Sequence, residues 1–246
     1  APHLHVFKPD GAGPFPVVLM LHGCGGPRPF LRDMATIVTE AGAAAVIVDS
    51  FAPRGIARAA AYATVCTGAQ LRGRERAGDL YAAMAWARHQ RWADADRVIA
   101  AGWSHGAWTI MDALALRSGD EMRRATGMSD LHGEPLKGLA ATLLVYPYTG
   151  PASFGGRRGW RIAPPTIAIT GGRDVVVGYT RPRAALNRLK DHGAPIDIVH
   201  FENATHAFED ADTGDLIVRY DAEATAREHA LLRELIGRCN SSVAAH

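Results

Sequence analysis

The stretch RVIAAGWSHGAWTIMDAL, residues 97–114, passes from an apolar run into a helical pattern through Gly102-Trp103-Ser104-His105-Gly106. Val98–Ala101 is short, continuous and apolar, as a strand buried on both faces reads. After Gly106, the apolar residues Ala107, Ile110, Met111 and Leu114 recur at helical spacing. A strand joined to a helix by Gly-x-Ser-x-Gly turns so sharply that bulky side chains two before and two after the serine would collide, hence the glycines. The turn lifts Ser104 over the carboxyl end of the strand. It also aims the first N–H groups of the helix at that point, which favours developing negative charge.

Working outward, five more runs share the two-faced apolar character: Val17–Leu21, Ala44–Val48, Leu139–Val145, Thr166–Thr170 and Ile196–Phe201. Helical patterns lie between them, near 29–41, 71–91, 105–117, 180–191 and 215–236. Gly42 and Gly193 follow two of these, as glycine often follows a helix C-terminus. Strand–helix alternation over residues 1–246 predicts one domain with a mostly parallel, doubly wound α/β sheet flanked by helices. HLHVF is the single strand read before VVLML, so the N-terminal part of the sheet is expected to be short. The Pro- and Gly-dense stretch 147–165 falls between two strands of one sheet. It reads as a loop over the carboxyl edge, where such sheets bind ligands.

Composition excludes several function classes. The 246 residues are 48% hydrophobic and 21% charged, with a formal net charge of +2, too small a surplus for a nucleic-acid surface. No apolar run approaches the ~18 residues of a membrane span. APHLHVFKPD reads as neither a signal nor a transit peptide, and the compartment stays open. Three cysteines (Cys24, Cys66 and Cys239) are too few for a zinc site or a disulfide framework. A single Cys24–Cys66 bridge is one reading of them and reduced thiols the simpler one. No metal or organic cofactor is expected.

A serine hydroxyl is a weak nucleophile at neutral pH and needs a base, itself held by an acid. ITGGRD places Asp174 just past Thr166–Thr170, and ENATHAFED places His206 just past Ile196–Phe201. Both therefore lie at the same sheet edge as Ser104, in the chain order Ser, Asp, His. His200, His192, Asp197, Glu202 and Asp210 are rivals for these places; His200 and Asp197 lie within a strand and point into a helix layer. An oxyanion formed by attack on a carbonyl would need two N–H donors. His105 follows the serine, and the small-residue loop His22-Gly23-Cys24-Gly25-Gly26 supplies Cys24, with Gly25 next. That loop has neither G-x-G-x-x-G nor Walker A spacing, so phosphate binding is disfavoured.

PFPVVLMLHGCGG, VDSFAPRG, AGWSHGAW, YPYTG, GGRD and THAF, in this order over about residues 14–210, resemble the dienelactone hydrolase family of the α/β-hydrolase superfamily. The resemblance implies an α/β-hydrolase fold without a large lid and the triad Ser104, Asp174, His206. Dienelactone hydrolases proper use a cysteine nucleophile restrained by a glutamate from the early loop. Here Ser104 stands at the nucleophile position and the loop carries Cys24, which aligns the chain with serine-bearing, esterase-like relatives.

The expected reaction is cleavage of a small carboxylic ester or lactone through an acyl-enzyme. A peptidase, an acyltransferase or perhydrolase on the same triad, and a ligand-binding pseudo-hydrolase are the alternatives. Arg54, on the catalytic edge, is a candidate to hold a substrate carboxylate, with an ion pair to a neighbouring acid as the competing reading. Tyr148, Phe154 and Trp160 are candidate pocket walls, whereas Tyr146 and Trp103 read as core. Arg72, Arg74 and Arg76 open a helix and read as a solvated face. Nothing in the sequence sets the oligomeric state.

Overall fold

A computed structural model describes residues 3–213 and 217–241. One sheet of seven strands forms its centre: β1 (His3–Phe7), β2 (Phe15–Leu21), β3 (Ala44–Asp49), β4 (Ala93–Trp103), β5 (Leu139–Val145), β6 (Thr166–Gly171) and β7 (Ile196–Phe201). Their order is β1-β3-β2-β4-β5-β6-β7. β1 runs antiparallel to β3 at one edge, and every other pairing is parallel. The chain reverses its direction of travel across the sheet between β2 and β4. This is the switch point whose carboxyl ends open a crevice.

Among the described residues, seven α-helices accompany the sheet: α1 (Phe30–Glu40), α2 (Arg58–Thr64), α3 (Gly73–Ala87), α4 (His105–Ala115), α5 (Asp120–Thr126), α6 (Thr180–Asp191) and α7 (Ala222–Ser241). The two-faced apolar strands explain the layering. Val17, Leu19 and Leu21 of β2 lie on the side of the sheet covered by α3, α4 and α6, and Val18 and Met20 on the side covered by α1 and α7. All five are fully buried, each such side chain being worth about 1.5–3 kcal/mol. This is the mostly parallel α/β-hydrolase sheet flanked by helices, and no long lid covers it among the described residues. Among the described residues, no helix is long and apolar enough to cross a membrane.

Several expectations need correction. α2 and α5 have no counterpart in the apolar pattern, because each buries a single residue, Ala61 or Met122. The last helix begins at Ala222 rather than at 215; residues 215 and 216 of the expected span lie outside the described residues. The Pro- and Gly-rich loop after β5 keeps only its first residues, Tyr148 among them, at the carboxyl edge and then runs down α4. Buried Asp112 of α4 accepts the N–H groups of Phe154 and Gly155 at 2.9 and 2.6 Å. Farther along, Leu114 O receives Arg161 N–H.

Candidate active site

Ser104 sits between β4 and α4 with φ 51° and ψ −107°, a conformation side chains rarely adopt and one that costs of order 1–3 kcal/mol. The flanking glycines explain how the turn closes. A Cβ on Gly102 would stand 2.5 Å from the carbonyl carbon of Gly106, and one on Gly106 would stand 2.0 Å from Leu21 O. The elbow is thereby pressed against the end of β2, beside the loop His22–Gly26.

Three side chains from three strand ends meet here. Ser104 Oγ lies 2.9 Å from His206 Nε2, and His206 Nδ1 lies 2.8 Å from Asp174 Oδ2. Asp174 Oδ1 also accepts the N–H groups of Val176 and Val177, so both carboxylate oxygens are engaged. The ring of His206 leans on Tyr146, centroids 4.4 Å apart. All three residues are buried, Ser104 and His206 each keeping 8% of their surface. His200 instead meets Thr170 Oγ1, Asp197 pairs with Arg238 and Asp210 pairs with Arg28.

Beneath this apparatus lies Arg76, which departs furthest from the solvated face read in the sequence. It is fully buried. Its Nε donates to Ser50 Oγ at 2.7 Å, and Nη1 donates to His22 O at 2.7 Å and to His105 Nδ1 at 3.1 Å. One guanidinium therefore ties the end of β2, the segment after β3 and the first residue of α4. Burial lowers its pKa to about 10, which leaves it cationic at neutral pH. Guanidinium nitrogens only donate, so His105 Nδ1 must accept and the ring is neutral; burial and then Arg76 hold its pKa well below the ordinary value. His22 is likewise neutral. Its Nδ1–H donates to Gly23 O while Nε2 accepts Ser50 N–H, with burial the largest cause of its lowered pKa.

Cys24 and Cys66 form a disulfide, so the simpler reading of reduced thiols is replaced. The bridge joins the loop after β2 to the segment just after α2. Cross-linking across a separation of 42 residues restricts the unfolded chain by an amount worth typically 2–4 kcal/mol. Cys24→Ser/Cys66→Ser is accordingly expected to lose about 2–4 kcal/mol in urea unfolding, and reducing the wild type should give the same loss.

Behind the histidine, Tyr146 OH donates to Glu209, and Trp103 Nε1 donates to Glu228 at 2.7 Å. Burial raises the Glu209 carboxyl from 4.5 to about 8 and pushes Glu228 up as well. An acid that holds its proton longer when folded adds stability that is complete below its unfolded pKa and lost as pH rises through the folded one. Below about pH 6.5 the buried neutral His22 and His105 act in the opposite sense, so the urea midpoint is expected to fall chiefly between about pH 6.5 and 8, and Glu209→Gln to flatten that decline.

A cavity of about 340 Å³ opens over Ser104, and Tyr148, Trp103, Trp108 and Tyr146 line it. Arg54, Phe154 and Trp160 do not. Arg54 is held by both oxygens of Asp79 and by Ser50 O. Phe154 and Trp160 pack against the core on the α3–α4 side of the sheet, where the Asp112 anchor draws their loop. The spacing could not have revealed Trp108. It sits on α4 with Nε1 donating to Asp112 and its ring 4.9 Å from that of Tyr148, so a helix-core tryptophan becomes a wall.

Comparison with known proteins places these features. The model of the dienelactone hydrolase family matches residues 4–239. A candidate dienelactone hydrolase from Klebsiella pneumoniae subsp. pneumoniae MGH 78578 is similar in structure, with a TM-score of 0.74 at 17% identity over 95% of this chain and 92% of that one. Esterase 2 of Thermogutta terrifontis with butyrate bound gives a TM-score of 0.70 at 16% identity over 96% and 88%. The same esterase phosphoramylated by tabun gives the same values. No curated protein matches the chain.

Proposed function

This chain belongs to the dienelactone hydrolase family and is a hydrolase, and from that premise we propose that it cleaves small carboxylic esters or lactones through a Ser104 acyl-enzyme. The single observation that carries the reading is the unbroken chain from Ser104 Oγ through His206 to Asp174, with contacts of 2.9 and 2.8 Å. His206 Nε2 takes the hydroxyl proton as Oγ attacks the carbonyl carbon. Asp174 holds the proton on Nδ1, so the lone pair stays on Nε2, and it stabilises the imidazolium that forms.

The negative charge that develops on the carbonyl oxygen is received by the N–H groups of His105 and Cys24. His105 is the first residue of α4, where N–H groups have no partner within the helix. Among the described residues, Cys24 N–H donates to no backbone carbonyl, and its loop is braced by the disulfide and by the Arg76 bond to His22 O. The imidazolium then protonates the leaving alcohol, and water deprotonated by His206 releases the acid. The apolar, aromatic lining of the cavity suits a carbon-rich substrate. The esterase of similar fold holds butyrate, which favours the ester reading over peptide cleavage. Labelling with a fluorophosphonate tests it: wild type should be modified at Ser104 and Ser104→Ala should not. Absence of labelling, with no turnover of short p-nitrophenyl esters, would sink the proposal.

A further inference from the structure

Among the described residues, the cavity over Ser104 has one guanidinium in its wall, and that guanidinium is already occupied. Arg28, from the loop after β2, donates Nε to Asp210 Oδ2 at 2.6 Å and Nη2 to Oδ1 at 3.2 Å. Asp210 follows β7 in the loop that carries His206, so the pair bridges two lips of the cavity. Both side chains are mostly withdrawn from solvent, at 18% and 5% exposure. The geometry is the two-pronged match of guanidinium to carboxylate, which leaves little of either charge for a third partner.

No other cation replaces it among the described residues lining the cavity. His105 is neutral, Arg76 lies behind the wall rather than in it, with Nε and Nη1 bound to Ser50, His22 and His105 and Nη2 buried without a partner among the described residues, and Arg54 is held by Asp79. A carboxylate brought in by a substrate would lose its water and meet aromatic rings and Asp210, an uncompensated transfer.

Resting on the ester-hydrolase reading, we propose that this site selects uncharged, largely apolar esters, and that the Arg28–Asp210 pair sets the selectivity by keeping the wall's arginine from the substrate. Asp210 is thus a specificity determinant: it engages Arg28 and leaves the reacting atoms alone. The consequence is that esters bearing a carboxylate are excluded although an arginine stands at the cavity.

The test compares 4-nitrophenyl hexanoate with the mono-4-nitrophenyl ester of adipic acid, which has the same leaving group and carries a terminal carboxylate. Wild type is expected to favour the hexanoate in kcat/KM by on the order of 10²-fold, the scale of one unpaired buried polar group. Asp210→Asn keeps the shape but frees the guanidinium, and should narrow that ratio about tenfold or more. The ratio is informative because a general disturbance of the His206 loop lowers both rates together. Asp210→Ser serves as a second variant if the asparagine does not fold.

Comparable kcat/KM for the two esters in wild type, or a ratio unmoved in a folded Asp210 variant, would overturn the proposal. The same esters titrated into Ser104→Ala by calorimetry read selectivity without turnover. Hexanoate binding with adipate exclusion supports the proposal even if wild type hydrolyses neither, an outcome that would count against the acyl-enzyme alone. Equal binding of both overturns it.

Discussion

Ser104→Ala is expected to lower kcat toward short p-nitrophenyl esters by about 10⁴-fold or more, the usual scale for removing a triad nucleophile. The change deletes one hydroxyl at a site 8% exposed and leaves the backbone bond from Ser104 N–H to Val145 O in place. Urea unfolding should therefore move by less than about 1 kcal/mol. The contrast between intact stability and abolished turnover is what identifies a nucleophile. A loss of only a few fold would mean that the hydroxyl merely fills a tight turn, and a parallel loss of stability would make the effect structural. The proposed triad would act as a unit, so His206→Ala is expected to cost about as much, and the double variant little more.

Gly106→Ala is the second large effect, and its signature is the reverse. The added methyl would meet Leu21 O at 2.0 Å and Leu21 C at 2.7 Å, both backbone atoms of the central strand β2, which cannot swing aside as a flexible side chain would. Relief requires α4 to move away from the sheet, and His105, whose Nδ1 is held by Arg76, moves with it. A loss of more than about 3 kcal/mol in unfolding free energy is expected, with activity falling further than the unfolded fraction explains. The comparison is Gly119→Ala. Gly119 lies outside the elbow, and although its φ is +88°, nothing stands within 4 Å of the added carbon. That substitution should cost about 1–3 kcal/mol, from backbone strain alone, and leave kcat unchanged. Equal stability losses in the two variants would remove the claim that the elbow is closed by contact with β2.

The sequence alone determined the layers and the order of the strand ends. Continuous apolar runs such as VVLML and LAATLLV are a local property, because a strand covered on both faces has no side on which to place polar residues. The elbow is equally local: the two glycines are required by contacts within five residues and with the strand next door. Asp174 and His206 were legible because each immediately follows a strand of a parallel sheet, so strand direction alone puts them at one edge.

Only the tertiary structure decided what each charged side chain faces. Arg76 reads as one of three exposed arginines on a helix, yet it is enclosed because His22 O, Ser50 Oγ and His105 Nδ1 converge on it from three separate elements. The same holds for Arg28 and Asp210, 182 residues apart. It holds also for Arg54, drawn off the cavity by Asp79, and for Cys24 and Cys66, joined across 42 residues. The loop carrying Phe154 and Trp160 was misread for a related reason. Two backbone N–H groups in it found a buried carboxylate on α4, a partner that no local pattern announces. Periodicity records which face of an element is buried. Which donor meets which acceptor is settled only when elements distant in the chain are packed, since a buried polar group must find a partner wherever the fold puts one.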